Sequence, residues 1–196
     1  MVNIKNEIAS IIESSISTKQ RLINDETIDY IKKSIDLIVD CYKLDGKVLF
    51  AGNGGSAADA QHLAAELSGR FYFDRDPLSS EALHVNTSYV TAVANDYSYD
   101  EIYSRYIKGV GKKGDILIGL STSGKSNNII KAFEMAKSKN MICIGLTGEN
   151  IEEFSKYCNV IISVPSKDTP RIQESHITIG HIICQKVEEI LFKKIN

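Results

Sequence analysis

Residues 116–126 read ILIGLSTSGKS, an apolar run that leads directly into a loop of glycine and hydroxyl side chains. The run shows no polar alternation, which is typical of a strand buried on both faces of a parallel sheet. In such sheets, ligands bind in the loops that follow the carboxyl ends of the strands. The stretch therefore predicts a parallel α/β sheet with a ligand-binding loop after this strand.

Four further short apolar runs have the same character, and helical patterns separate them. We predict strands at residues 48–51, 82–85, 116–120, 142–146 and 160–164. The helices are expected near residues 56–68, 87–109 with a break around 95–98, 127–139, 150–157 and 171–194. This alternation predicts an α/β fold, a three-layer doubly wound sheet of five parallel strands.

Two amphipathic helices precede the sheet and form a predicted N-terminal hairpin. The pair Asn24-Asp25 suits a helix N-cap between them, and Asp45-Gly46 ends the second helix. Because the sheet has its own helices for both faces, we interpret the two apolar stripes of the hairpin as subunit contacts. We therefore predict one domain over residues 1–196, with a hairpin (1–45) used in oligomerisation and a sheet core (46–196). The stripes consist of Ile4, Ile8, Ile11, Ile12 and Ile16, then Ile28, Ile31, Ile35, Ile38 and Tyr42.

Composition excludes several classes of function. The 23 basic residues against 25 acidic residues leave a net charge of −2, so the chain lacks the basic excess that grips nucleic acid. No apolar run is long enough to span a membrane, and the charged first residues do not resemble a signal peptide. The four cysteines are scattered, which indicates reduced thiols. We expect a cytoplasmic protein without nucleic-acid or membrane partners.

The first of two unusual loops follows the first predicted strand and reads GNGGSA over residues 52–57. It contains G-x-G-x-x-A, a variant of the dinucleotide-binding fingerprint. A dinucleotide fold also needs an acidic residue at the end of the second strand, whereas Glu81 stands at the start of the predicted one. The glycines alone indicate a polar ligand that approaches bare backbone N–H groups at a helix start.

The second unusual loop follows the third predicted strand, and residues 119–126 match the nucleotide-binding pattern G-x-x-x-x-G-K-[ST]. A P-loop enzyme also needs an apolar strand that ends in Asp to hold Mg²⁺, and none of the later strands ends in Asp. Hydroxyls occupy four of the six positions from 121 to 126, which suits a terminal phosphate held without a metal-bound triphosphate. A sugar-phosphate anchor is favoured, and a plain helix-capping loop is the alternative.

A candidate metal and acid–base group lies on two of the predicted helices. His62 and Glu66 are one turn apart, and Gln173 and His181 are eight residues apart on the last helix. Two imidazoles, a carboxylate and an amide oxygen suit a divalent ion such as Zn²⁺, although Gln is an uncommon zinc ligand. A surface His–Glu pair without an ion is the alternative that the spacing leaves open.

Taken together, five ordered motifs resemble the phosphoheptose isomerase branch of the sugar-isomerase (SIS) domain family. The resemblance extends from the N-terminal hairpin to the last helix. One difference is Thr169-Pro170, where some relatives carry an acid, so no catalytic role is assigned there. The motifs are Gly52-Asn53-Gly54-Gly55-Ser56, His62-x-x-x-Glu66, Asn95-Asp96, Ser121-Thr122-Ser123-Gly124-x-Ser126, and Arg171-Ile172-Gln173-Glu174 followed by His181.

The resemblance implies a flavodoxin-like SIS fold and a homotetramer whose active sites are shared between subunits. It also implies one Zn²⁺ per site, held by His62, Glu66, Gln173 and His181. The substrate contacts that it implies are Asn53, Gly54, Gly55, Ser56, Glu66, Asn95, Asp96, Ser121, Thr122, Ser123, Ser126 and Gln173.

The implied activity is the conversion of sedoheptulose 7-phosphate into D-glycero-D-manno-heptose 7-phosphate through an enediol. This would be the first step of nucleotide-activated heptose synthesis for lipopolysaccharide or capsule. We assign Glu66 as the base and His181 as the acid, and Zn²⁺ would polarise the substrate oxygens.

Two alternatives come from other classes of protein. One is a non-catalytic SIS tetramer that binds the replication initiator DnaA, and the other is a sugar-phosphate sensor. The DnaA-binding branch lacks the carboxylate and the final histidine that match Glu66 and His181, and a sensor would not need them. Their presence here favours the isomerase.

Overall fold

Five parallel strands form the central sheet of the computed structural model, which describes residues 3–193. Their order across the sheet is β2-β1-β3-β4-β5, and helices cover both faces. The predicted three-layer, five-stranded parallel fold is therefore confirmed. The strands are β1 (Val48–Gly52), β2 (Ser80–Ala82), β3 (Ile116–Ser121), β4 (Ile142–Thr147) and β5 (Val160–Ser163).

The helices begin close to where the sequence patterns place them. Asn24 and Asn86 each cap a helix, since their Oδ1 atoms accept the backbone N–H of Thr27 at 2.9 Å and of Tyr89 at 3.0 Å. The predicted break around residues 95–98 is present, and a 3₁₀ turn at Tyr99–Glu101 follows it. The helices are α1 (Ile4–Gln20), α2 (Asp25–Lys43), α3 (Gly55–Ser68), α4 (Thr87–Asp96), α5 (Ile102–Val110), α6 (Asn127–Ser138), α7 (Glu152–Ser155) and α8 (Thr169–Phe192). Among the described residues, no helix is long and apolar enough to cross a membrane.

Successive residues of each central strand point to opposite faces of the sheet. Val48 and Phe50 of β1 belong to a core formed with α2, α3 and α8. Leu49 and Ala51 belong to a second core formed with α4, α5, α6 and α7. All five residues of β1 are buried, which explains why its sequence shows no polar alternation.

Strand β2 lies two residues earlier than predicted. The apolar run chosen from the sequence includes Leu83 and His84, which form a turn instead of a strand. The register pairs only Ser80, Glu81 and Ala82 with β1. Leu83 is buried in the turn that leads to the cap of α4, so its apolar character reflects burial and not strand pairing.

The second helix of the hairpin packs on the sheet of its own chain. Ile31, Ile35 and Ile38 are buried in the core that α2 shares with α8 and the strands. These three side chains are therefore not available for a subunit contact, whereas Ile28 of the same stripe is 49% exposed, and the use of the hairpin in oligomerisation stays a prediction. The α1 stripe differs, because side chains such as Ile8 (53% exposed) and Ile12 (56% exposed) face outward.

Polar contacts hold α1 to the start of α8. The Arg171 guanidinium donates to the Ile11 carbonyl at 3.0 Å, and the Ser15 hydroxyl donates to the Glu174 carboxylate at 2.6 Å. The first and last residues of the Arg-Ile-Gln-Glu motif thus anchor the N-terminal helix.

The strand order creates a crevice between β1 and β3. From β1 the chain crosses to β2 on one side and then returns to β3 on the other. In doubly wound sheets this reversal leaves an opening at the carboxyl ends of the two strands, where ligands bind. The glycine loop follows β1 and the serine loop follows β3, so both predicted loops border this crevice.

Candidate functional site

The glycine loop brings the start of α3 close to the end of β1. Gly54 has φ 55° and ψ −123°, a conformation that favours glycine. A Cβ on Gly52 would lie 2.3 Å from the carbonyl oxygen of Ser56, so a side chain there would push the helix away. No side chain caps α3, and the backbone carbonyls of Asn53 and Gly54 accept the N–H groups of Ser56 and Ala57 at 3.0 Å each.

An amide pair joins the glycine loop to the helix after the serine loop. Asn53 and Asn128 each donate to the other's carbonyl oxygen at 2.8 Å, and the Tyr99 hydroxyl donates to Asn53 at 3.1 Å. The sequence patterns predict neither Asn128 nor Tyr99 as a site residue. Asn128 lies in a polar run at a helix start, which is a usable signal, whereas Tyr99 gives none.

Three hydroxyls converge in the serine loop, directly before α6. The Ser121 Oγ atom lies 2.8 Å from Ser126 Oγ and 3.4 Å from Ser123 Oγ. The backbone N–H of Lys125 donates to Ser123 Oγ at 3.2 Å, whereas the Lys125 side chain is exposed. Hydroxyl groups beside a helix N-terminus suit the binding of a phosphate group.

Gly124 fixes the backbone of the serine loop. Its φ is 64°, and a Cβ at this position would lie 2.1 Å from the carbonyl oxygen of Asn150. Neighbouring strands offer no carboxylate for a nucleotide-bound Mg²⁺, since β4 ends at Thr147 and β5 at Ser163. The loop geometry therefore favours a phosphate anchor over a P-loop.

A histidine and glutamate cluster lies where α3 packs against α8. His62 Nε2 is 3.0 Å from Glu66 Oε1 and 3.4 Å from His181 Nε2. One donor atom from each of the three residues lies within 4.8 Å of the others. Two imidazole nitrogens and a carboxylate oxygen directed at one point suit a divalent cation, so the donor set fits the predicted metal.

Gln173 lies against the glycine loop. A Cβ on Gly55 would be 2.6 Å from the Gln173 amide nitrogen, so this amide lies against the start of α3. His62 is about two helical turns further along α3. The structure thus brings three of the predicted metal ligands together and places Gln173 at the glycine loop.

The other predicted contacts occupy different positions around the crevice. Asn95 and Asp96 are exposed at the end of α4, where the Asn95 amide donates to Asp96 at 3.0 Å. Within residues 3–193, no hydrogen bond joins their side chains to the two loops. Ser56 is buried behind the glycine loop, and the Thr122 carbonyl accepts the Gly148 N–H at 3.2 Å.

Comparison with known proteins identifies the family. The family model for the SIS domain matches residues 13–148. The chain belongs to the SIS-domain family. Within that family, it is 51% identical over 187 residues to a phosphoheptose isomerase of Aneurinibacillus thermoaerophilus, which covers 95% of this chain and 94% of the relative. A phosphoheptose isomerase of Clostridium acetobutylicum is 49% identical over 189 residues, covering 96% of each chain.

Solved structures show the same SIS fold. A phosphoheptose isomerase from Francisella tularensis superposes with a TM-score of 0.91 at 34% identity, over 96% of this chain and all of that one. A phosphoheptose isomerase from Neisseria gonorrhoeae gives 0.87 at 36% identity, over 95% of this chain and all of that one.

The remaining two histidines of this SIS domain lie outside the cluster. His176 is fully buried, and its Nε2 atom lies 3.2 Å from the Thr147 carbonyl oxygen. Burial lowers the pKa of His176 to about 4, so this side chain is neutral at physiological pH. Burial also lowers the pKa of His84, in the turn after β2. Neither of these two histidines therefore belongs to the cluster of His62, Glu66 and His181.

Proposed function

We propose that the chain is an aldose–ketose isomerase that converts sedoheptulose 7-phosphate into D-glycero-D-manno-heptose 7-phosphate. The observation that carries the proposal is the cluster of Glu66, His62 and His181 on two helices that also reach the crevice. The close similarity to phosphoheptose isomerases over nearly the full chain supports the choice of substrate.

The reaction moves a carbonyl group from C2 to C1, which requires a proton to leave C1 and a proton to arrive at C2. Glu66 is the proposed base, because its carboxylate is half-buried beside two imidazoles and keeps some access to solvent. His181 is the proposed acid. It would donate a proton to the C2 carbonyl oxygen and take the proton from the C1 hydroxyl. A carboxylate oxygen and an imidazole nitrogen that lie within 4.8 Å of each other can serve the neighbouring C1 and C2 positions of an enediol.

The proposed metal is one Zn²⁺ per site. His62, Glu66 and His181 would hold it, and two histidines with a glutamate and an open position are typical of catalytic zinc. When bound, the ion would polarise the substrate oxygens. Gln173 remains a proposed fourth ligand and a proposed substrate contact, and its place beside Gly55 supports the second role.

The phosphate end of the substrate is assigned to the serine loop. Ser121, Ser123 and Ser126 would donate to the phosphate oxygens beside the N-terminus of α6. The glycine loop would hold the sugar hydroxyls between the two ends. The residues that complete the proposed site are Asn53, Gly54, Gly55, Ser56, Asn95, Asp96 and Thr122.

We also propose that the active form is a homotetramer with shared sites. The exposed isoleucines of α1 supply an unpartnered apolar surface, and two-fold packing of such surfaces builds tetramers of D₂ symmetry. Asn95 and Asp96 are exposed, which leaves them free to reach a neighbouring subunit.

All four cysteines are free thiols, which supports a cytoplasmic location.

The product would enter nucleotide-activated heptose synthesis for lipopolysaccharide or capsule. A DnaA-binding tetramer and a sugar-phosphate sensor are not favoured, because neither needs the Glu66–His181 pair.

The first prediction tests the two proposed proton-transfer groups. Wild-type protein should convert sedoheptulose 7-phosphate into the aldoheptose, and Glu66→Gln and His181→Asn should each lower kcat by at least about 10²-fold. Both replacements keep the approximate shape of the side chain, so a packing defect does not explain the loss. His84→Asn, outside the cluster, is the control and should retain activity. Near-normal turnover by either variant would remove that residue from its role.

The second prediction separates a phosphate anchor from a P-loop. Ser126→Ala should raise KM for the heptose phosphate more than it lowers kcat, because the hydroxyl binds far from the reacting carbons. Lys125→Ala should change either constant by less than about 3-fold, since a phosphate held by hydroxyls does not need this lysine. ATP hydrolysis that Lys125→Ala abolishes would overturn the assignment.

The third prediction concerns assembly through α1. The double variant Ile8→Glu/Ile12→Glu should dissociate the tetramer in light scattering, because it places charges in an apolar contact. Isomerase activity should fall when the tetramer dissociates, since each proposed active site is shared between subunits. Leu44→Glu changes an apolar side chain off the stripe that is more exposed (82%, against 53% for Ile8 and 56% for Ile12) and should leave the mass unchanged. A wild-type mass of one chain would refute the assembly, and an active dissociated variant would refute the sharing.

A further inference from the structure

A buried ion pair that the proposed chemistry does not use lies beside the cluster. Arg75 Nε is 3.0 Å from Glu188 Oε1, and the two side chains are 2% and 0% exposed. A buried charge pair is weak support for stability, because desolvation offsets most of the attraction between the charges. The burial of these two charged side chains is therefore explained by the hydrogen bonds that they make to backbone groups.

The Arg75 guanidinium binds the last turn of α3. It donates to the carbonyl oxygens of Glu66 at 3.0 Å, Leu67 at 2.9 Å and Gly69 at 3.1 Å, and to that of Asp76 at 2.9 Å. The final carbonyls of a helix have no partners within the helix. Arg75 thus caps the helix that carries His62 and Glu66, and it bonds directly to the backbone of Glu66.

Glu188 holds the following segment against α8. Its carboxylate accepts the backbone N–H groups of Phe71 at 2.9 Å, Tyr72 at 2.6 Å and Phe73 at 3.1 Å. Burial raises the pKa of this carboxyl, but the three N–H groups and Arg75 outweigh that effect and lower it, so Glu188 stays charged. The Phe71 ring in turn contacts the His181 ring, with centroids 5.7 Å apart.

Glu188 and His181 are seven residues apart on α8, which places them on one face of the helix. The ion pair therefore connects the backbone of Glu66 on α3 with the helix face that carries His181. We propose that Arg75 and Glu188 are positioning residues that hold the Glu66 carboxylate and the His181 imidazole at the separation needed for proton transfer. The kinetic part of this proposal rests on the proposed isomerase function.

The test uses conservative replacements of the two side chains. Arg75→Lys keeps the positive charge and loses the planar fork that binds several carbonyls at once. We expect kcat to fall by about 10- to 100-fold, since small displacements of catalytic groups have effects of this size. KM should change by less than about 3-fold, because the serine loop that binds the phosphate is not part of the ion pair. Glu188→Gln keeps the side-chain shape and should show the same separation of kcat from KM.

A second readout does not depend on turnover. The affinity for Zn²⁺, measured by competition with a chelator, should fall by at least about 10-fold in both variants, as it does when groups that orient metal ligands are removed. The matched control is Asp115→Asn, which breaks a largely buried ion pair with Lys47 (2.6 Å) at the amino-terminal ends of β1 and β3, opposite to the end where the crevice lies. It should lower the melting temperature and leave kcat and Zn²⁺ affinity per folded molecule unchanged.

The outcomes distinguish this proposal from a purely structural role. If Arg75→Lys and Glu188→Gln lower only the melting temperature, as Asp115→Asn should, the positioning role is wrong. If one variant does not fold, the other carries the same expectations. If wild-type protein turns over no heptose phosphate, the isomerase proposal fails, and Zn²⁺ affinity still decides whether the ion pair positions the cluster.

Discussion

The site depends on how closely α3 packs against α8. Gly180 makes this approach possible, since a Cβ there would lie 2.5 Å from the Leu63 side chain. The next residue, His181, then reaches His62 on the facing helix. At the other end of the same contact, Gly55 leaves room for the Gln173 amide. Two glycines, one on each helix, thus set the distance between the groups that would carry out the chemistry.

The sheet order supplies the second requirement, a place for the substrate. The crevice between β1 and β3 brings two loops together, and the Asn53–Asn128 amide pair joins the first loop to α6. The serine hydroxyls lie on the β3 side, while α3 leads from the β1 side to the cluster. A linear sugar phosphate has a phosphate at one end and a carbonyl at the other; the serine hydroxyls suit the first end and the cluster suits the second.

The sequence predicts the central strands well because burial on both faces leaves an apolar run with no alternation, as at Ile116–Leu120. It fails at β2, where Leu83 is apolar because a turn is buried. At α2 the sequence is ambiguous, because an apolar stripe does not reveal which surface covers it, and Ile35 packs on its own sheet. Local spacing places His62 and Glu66 on one helix face, but it does not show that His181 joins them from α8. Contacts between residues distant in sequence, such as Arg75 with Glu188 and Tyr99 with Asn53, leave no periodic signal.

In the proposed reaction, a proton moves between C1 and C2 through a side-chain base in this cluster. The most direct measurement is the mass and NMR spectrum of the aldoheptose formed from sedoheptulose 7-phosphate in D₂O. Proton transfer through Glu66, which is partly open to solvent, predicts deuterium at C2 of the product. A product with no deuterium at C2 would contradict that account and indicate a direct hydride shift between the two carbons.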